Sequence, residues 1–191
     1  IAIPIGLLAG AAAGYFGGFI DEVIVWFYSA LSSIPWLLLL LSMSLIFGRG
    51  LQGVYLAIGL TSWVNLCRLV RAEVMKLKGA EYVQAARALG AGPGRILFRH
   101  IIPNVSHLVV ITFTLQFCTA IKAEVILSYL GIGVELGMPS WGNMIQSARQ
   151  ELQRGAWWQF AAATTAMFVI VLAFNVLGDA LRDALDPRLK I

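Results

Sequence analysis

Glu81 to Asn104 reads EYVQAARALGAGPGRILFRHIIPN, and this stretch decides the fold. It is a polar island between two long apolar segments. Residues 68–99 carry seven Lys or Arg (Arg68, Arg71, Lys76, Lys78, Arg87, Arg95, Arg99) against two acids, Glu73 and Glu81. Cytoplasmic loops of membrane proteins collect positive charge, so this loop is expected to face the cytoplasm. Glu81–Leu89 lacks Gly and Pro and is rich in good helix formers, which predicts a helix. Tyr82, Ala85, Ala86 and Leu89 fall at i, i+3, i+4 and i+7, a single apolar stripe. Gly90-Ala91-Gly92-Pro93-Gly94 then stops the helix, because Gly accepts left-handed geometry and Pro93 lacks an N–H. Arg95–Ile102 makes a second short helix with Arg95, Arg99 and His100 on one polar side. Pro103 marks its end or a kink at the start of the next span. From the residues alone, the 81–89 helix either lies on anionic lipid or docks into a protein groove.

The composition of the whole chain points to lipid as its solvent. Of 191 residues, 59% are hydrophobic and 13% charged, where soluble domains carry about 25% charged residues. The net charge of +4 concentrates in the 68–99 loop, so it reports topology and not nucleic-acid binding. Five stretches lack Asp, Glu, Lys and Arg: Ile1–Ile20, Val23–Gly48, Gly50–Cys67, Ile101–Ile121 and Gly155–Gly178. A helical span needs roughly 17–25 apolar residues, and none of these stretches alternates as barrel strands do. The expectation is an all-α, polytopic membrane bundle of about five spans. Counting from the cytoplasmic loop puts 122–154 outside, with three basic and three acidic residues, and the C-terminus inside. The inner turn at Asp21-Glu22 has no basic residue of its own. The chain starts inside an apolar run without Met, which predicts a fragment of a longer protein.

Several residues invite a local reading. Gly6-Leu7-Leu8-Ala9-Gly10 is a GxxxG in a small-residue span, suited equally to packing within the chain and to a subunit contact. Pro35, within Ser33-Ile34-Pro35, kinks or breaks the second uncharged run. Asn65 is expected to hydrogen-bond a neighbouring helix. Lys122 and Glu124 stand two apart near the end of the fourth span, so on a helix they need separate partners. Either one of them lines a translocation path or both snorkel to the interface. Trp141, Trp157 and Trp158 suit an interfacial belt. Asp179, Asp183 and Asp186 share a face that reads as solvated, with Arg182 and Arg188 close by. Cys67 and Cys118 behave as small hydrophobes. His100 and His107 lack a surrounding ligand set, and no metal site is expected. There is no GxSxG elbow and no GxxxxGK[ST] loop, so neither catalysis nor ATP hydrolysis is expected of this chain.

The 81–104 stretch resembles the signature loop of ABC-importer permeases, which runs Glu-Ala-Ala, three residues, Gly, nine residues, Ile-x-Leu-Pro. Here the positions hold Gln84-Ala85-Ala86, Gly90 and His100-Ile101-Ile102-Pro103. Gln84, His100 and Ile102 depart from the general pattern, and Gln84 forgoes any ion pair that Glu would make. His before the aliphatics and Pro-Asn resembles the dipeptide/oligopeptide and nickel branch. So do GYFGG at Gly14–Gly18, LSYLGIG at Leu127–Gly133, PSWGNM at Pro139–Met144, and the run from Leu172 through Asp186-Pro187-Arg188. Trp26 and Ser29 stand where the family often has Arg and Asp. Val134–Met138 lacks the family's paired prolines.

The resemblance implies a type I importer transmembrane domain over 1–191, truncated from a six-span core. Its coupling loop would be 68–104 and its outer loop 122–154. It implies docking to an ATP-binding subunit through Glu81, Tyr82, Gln84, Ala85, Ala86, Arg87, Leu89 and Gly90. Pro139, Ser140, Trp141 and Asn143 would face a solute-binding protein. The implied partners are a second homologous permease, two ATP-binding subunits, an extracytoplasmic binding protein and membrane lipid. ATP and Mg would sit on the partner subunits and no cofactor on this chain. The substrate would be a peptide or, within the same family, nickel or another small solute. A passive channel or secondary transporter is the reading from another class.

Overall fold

The computed structural model describes residues 1–135 and 137–185, the side chain of Leu185 excepted. Ten helices and one π turn follow in order: α1 Ala2–Phe16, α2 Gly18–Ser32, α3 Trp36–Ile46, α4 Leu51–Thr61, α5 Trp63–Leu77, α6 Glu81–Ala88, α7 Pro93–Ile96, the π turn Leu97–Ile101, α8 Ile102–Tyr129, α9 Trp141–Leu152 and α10 Trp158–Leu185. No strand occurs among the described residues.

Among the described residues, three helical stretches are long and apolar enough to cross a membrane: Leu51–Leu77, Pro93–Tyr129 and Trp158–Ala184. Together α2 and α3 qualify as a fourth, broken at Ser33-Ile34-Pro35 as the proline requires. The first uncharged run is shorter as helix than as sequence. Gly17 adopts φ 67° and ends α1 after 15 residues, below the length of an untilted span. All five uncharged stretches nevertheless coincide with apolar helices.

The chain forms two compact units. The first comprises Ile1–Pro35 and Thr61–Thr112. Here α1 lies against α5 along Gly6, Gly10 and Gly14. A Cβ on each would meet a backbone oxygen of α5: Trp63 at 2.8 Å, Cys67 at 2.5 Å and Arg71 at 2.7 Å. The small-residue stripe is therefore spent within the chain, on close backbone approach. Around it, Ala11, Leu66, Val70, Val74, Val83, Ile96, Leu97, Ile101 and Val105 make one core. The Asp21 end of α2 receives its cation from α5. Arg71 donates from Nε to Asp21 Oδ1 at 2.5 Å and from its terminal nitrogen to Oδ2 at 2.7 Å. Lys78 Nζ lies 3.5 Å from the carbonyls of Gly14 and Tyr15. This answers the missing positive charge at the Asp21-Glu22 turn: it comes from fifty residues further along. Arg68 sits 4.8 Å over the Tyr28 ring and donates to Ser32 Oγ. Trp26 and Ser29 are both exposed. Asn65 is exposed as well and, among the described residues, is not bonded to a neighbouring helix as expected, because the face of α5 that turns to α1 is the one carrying Leu66, Val70 and Val74.

The second unit comprises Trp36–Leu60 and Phe113–Ile191. Leu40, Val54, Ala57, Ala123 and Leu127 form its core, uniting α3, α4 and the later part of α8. Against α8, α10 rests Phe174 on Phe117, with ring centroids 4.3 Å apart. Gly178 lets Thr114 come so near that a Cβ would stand 2.9 Å from its Oγ1. Cys67 and Cys118 are buried and unpaired. Asp179, Arg182 and Asp183 are exposed, while Asp186 and Arg188 lie outside the described residues.

Candidate functional site

The 81–104 hairpin is built from local rules. Ala80 is extended and starts α6, and Gln84 Nε2 donates to the carbonyl of Gly79 at 2.9 Å across this first turn. The helix ends in a Schellman motif. Gly90 N–H donates to Arg87 O and Ala91 N–H donates to Ala86 O, each at 3.0 Å, with Gly90 at φ 82°. Gly90 is thus the left-handed residue that the motif needs. Gly92 is extended and Pro93 occupies the first helical position of α7, where its missing N–H costs nothing.

Pro103 neither ends a short helix nor breaks the span. Arg95–Ile102, expected as a separate helix, is instead the four-residue α7 and a π turn running straight into α8. Proline cannot donate to the carbonyl four residues back, and its ring crowds that carbonyl. The turn before it widens, and Ile102 N–H reaches back to Leu97 O. Asn104 Nδ2 donates to His100 O at 2.6 Å and satisfies a carbonyl in the widened turn.

The two faces of α6 do different work. Val83 is fully buried in the core shared with α1, α5 and the start of α8. The apolar stripe read from sequence faces away from it. Tyr82 is 41% exposed and Leu89 89% exposed. Ala85 is exposed and Ala86 half-buried. Glu81, Gln84, Arg87 and Gly90 are exposed beside them. A groove of about 570 Å³ lined by Lys78, Gly79, Gln84, Arg87 and Ala88 runs along this helix. The helix is therefore anchored by one residue that sequence patterning did not single out. Its stripe, which a lone globular chain would bury, is left open.

The 122–144 segment is the second feature. Lys122 is exposed and Glu124 half-buried, so the two diverge on α8 as their spacing demands. Ser128 Oγ donates to Glu124 Oε1 at 2.7 Å and accepts from Val134 N–H at 3.0 Å. Ser140 caps α9 by accepting from Asn143 N–H at 3.0 Å. Asn143 Nδ2 donates to the carbonyls of Glu135 and Met138 at 3.0 and 3.1 Å. Gly142 presses α9 onto α8, since a Cβ there would reach Ser128 Cβ and stand 2.9 Å from Val125 O. Of the residues expected to face a binding protein, Pro139 is exposed, Ser140 and Trp141 are half-buried, and Asn143 is buried. The polar members of PSWGNM thus hold the loop's shape. Between this loop, α8 and α4 lies a cavity of about 490 Å³. Among the described residues, no group of three or more His, Cys, Asp or Glu is placed to hold a metal ion.

Residues 2–191 match the family described as binding-protein-dependent transport system inner membrane component. The oligopeptide transport system permease protein OppC of Bacillus subtilis is 39% identical over 97% of this chain and 61% of its own length. The dipeptide transport system permease protein DppC of Alkalihalophilus pseudofirmus is 39% identical over 99% of this chain and 62% of its own. The glutathione transport system permease protein GsiD of Pectobacterium atrosepticum is 37% identical, covering all of this chain and 63% of the relative. The chain thus spans about three-fifths of the length of these relatives. The inward-facing MetNI methionine ABC transporter superimposes with a TM-score of 0.73 over 97% of this chain and 88% of that one, at 19% identity. That likeness establishes the type I importer transmembrane fold.

Proposed function

The chain belongs to the family of inner-membrane components of binding-protein-dependent transport systems, and we propose that it is one permease subunit of an ATP-driven peptide importer. It is a multi-pass transport component. The observation that carries the reading is the division of labour on α6. Val83 locks this helix into the core of α1, α5 and α8, while Tyr82, Ala85 and Leu89 stay uncovered. A helix anchored on one face and open on the other suits a groove on a partner. Motion imposed on it passes through Val83 to three other helices. Peptide as the substrate class is supported by the relatives named for oligopeptide, dipeptide and glutathione transport.

In this reading the 68–104 loop is cytoplasmic and docks on an ATP-binding subunit through Glu81, Tyr82, Gln84, Ala85, Ala86, Arg87, Leu89 and Gly90. ATP and Mg are held by that partner. A second, homologous permease completes the translocation path, with Lys122 and Glu124 at its outer end. An extracytoplasmic binding protein delivers substrate to the loop around Pro139–Asn143. Closure of the nucleotide-bound partners pulls α6, and the helices packed on Val83 turn the cavity from one side of the membrane to the other. The decisive experiment is copurification of the full-length chain with an ATP-binding subunit, followed by ATP-driven uptake of a labelled dipeptide. Cross-links from Tyr82 or Leu89 are expected in the ATPase; adducts with phospholipid alone overturn the reading.

A further inference from the structure

The cavity beside Glu124 has an unusual lining for its place. Leu51, Val134, Met138, Trp141 and Met144 give it apolar walls, and Glu124 is the one ionisable group among its described lining residues. Glu124 forms no ion pair among the described residues, and its single hydrogen bond comes from Ser128 Oγ. Ser128 is in turn fixed by Val134 N–H. Among the described residues the carboxylate is therefore held in place by one donor, and no second donor reaches it.

A carboxylate beside apolar walls and without a cation of its own draws one from a ligand, since low-polarity surroundings strengthen the attraction. The walls narrow the choice. Calcium takes about 6–8 oxygen ligands, and Glu124 is the only carboxylate among the described residues that line the cavity. A primary ammonium needs less: its three N–H donors are served by a carboxylate and a few further acceptors. Trp141 in the same lining is an aromatic side chain of the kind that attracts such a charge. Met138 and Met144 give an adaptable bed for an apolar side chain attached nearby. The volume lies within the range of small-ligand sites, roughly 300–1,000 Å³.

From this geometry we infer that the Glu124 cavity is a subsite for the N-terminal ammonium group of a peptide whose first side chain is apolar. The inference rests on the importer reading for the identity of the ligand as a peptide, and it deepens that reading by assigning a contact.

The test uses the full-length chain assembled with its permease and ATPase partners in lipid nanodiscs, without the binding protein, so that only the membrane site is probed. Met144→Cys supplies a maleimide-reactive reporter in the cavity wall. Leucyl-leucine is expected to slow its labelling, and N-acetyl-leucyl-leucine is not. Glu124→Gln keeps an oxygen for Ser128 and removes the charge. It is expected to raise the leucyl-leucine concentration giving half-protection by about tenfold or more, the worth of one charge-assisted hydrogen bond. Ser128→Ala removes the bond to Glu124 and leaves the charge, and it is expected to keep the preference for the free amine. Equal protection by both peptides, no protection by either, or wild-type behaviour of Glu124→Gln overturns the proposal. So does equal loss in Ser128→Ala and Glu124→Gln, which would give Glu124 the holding of the loop as its only task. ATP-driven uptake by the complete system is scored separately. Uptake without protection overturns the subsite alone, while protection without uptake overturns the importer reading and supports the subsite.

Discussion

Replacing Gly10 by Ala should loosen the joint between α1 and α5 by a calculable amount. The new methyl group would stand 2.5 Å from the Cys67 carbonyl oxygen, 3.0 Å from Val70 Cβ and 3.2 Å from Arg71 N. Two of these are backbone atoms inside a helix and cannot rotate aside. Ordinary contact begins at 3.4 Å, so α1 must retreat by up to 0.9 Å. A radial gap of about 0.5–1 Å forfeits a quarter to a half of each dispersion contact along the seam. Overpacking of this kind costs typically about 1–3 kcal/mol. Alanine returns about 1 kcal/mol through helix propensity. The difference leaves a net destabilisation of about 0–2 kcal/mol, towards the upper end because the opposing atoms are backbone. Gly94→Ala is the control, because its Cβ would meet nothing within 4 Å. Thermal or guanidinium unfolding of the purified chain in detergent reads both. A midpoint for Gly10→Ala equal to or above that of Gly94→Ala would refute the close-approach argument.

Other variants probe separate joints. Asp21→Asn should destabilise the first unit, and exchanging the pair as Asp21→Arg with Arg71→Asp should recover part of the loss. A double-mutant cycle should return about 1–3 kcal/mol of coupling, as for bidentate charged pairs in contact. Gly90→Ala should cost about 1–2 kcal/mol, the strain of a left-handed non-Gly residue, measurable as faster amide exchange across 86–91. Gly90→Pro or Ala86→Asp should leave membrane insertion intact yet abolish the ATPase stimulation produced by loaded binding protein, and normal stimulation would sink that expectation. Asn143→Ala leaves the Glu135 and Met138 carbonyls without their donor, so protease should cut the 131–140 loop faster than in wild type.

Much of this architecture is written locally in the chain. Uncharged runs mark the apolar helices because charge is excluded from hydrocarbon. The end of α6 at Gly90 follows from the one residue type that turns left without strain. The open stripe of Tyr82, Ala85 and Leu89 was visible as periodicity, although periodicity alone does not say whether a stripe is buried or left for a partner. What escaped the sequence depends on distant residues. Val83 looks like any aliphatic until α5 and α8 close over it. Arg71 reaches Asp21 across fifty positions, so no local charge count could pair them. The structural tasks of Ser140 and Asn143 stayed hidden for a similar reason. A loop motif of polar residues suggests a contact surface, and here Ser140 Oγ also serves as a helix cap while Asn143 Nδ2 also donates to two carbonyls. The Ser128–Glu124 bond spans i to i+4 and was within reach of a closer reading of α8.

The widened turn at Leu97–Ile101 bears on how relatives should be aligned. A π turn holds one residue more than the α turn it replaces. Losing a single residue between 97 and 101 would narrow the turn to an α turn, with Pro103 still withholding its own bond, while every side chain beyond kept its compass bearing. A deletion elsewhere along α8 would swing all later positions by about 100°, the angular step of a 3.6-residue helix. Natural chains with one letter fewer should therefore show their gap at this place, where the rod has slack to give up.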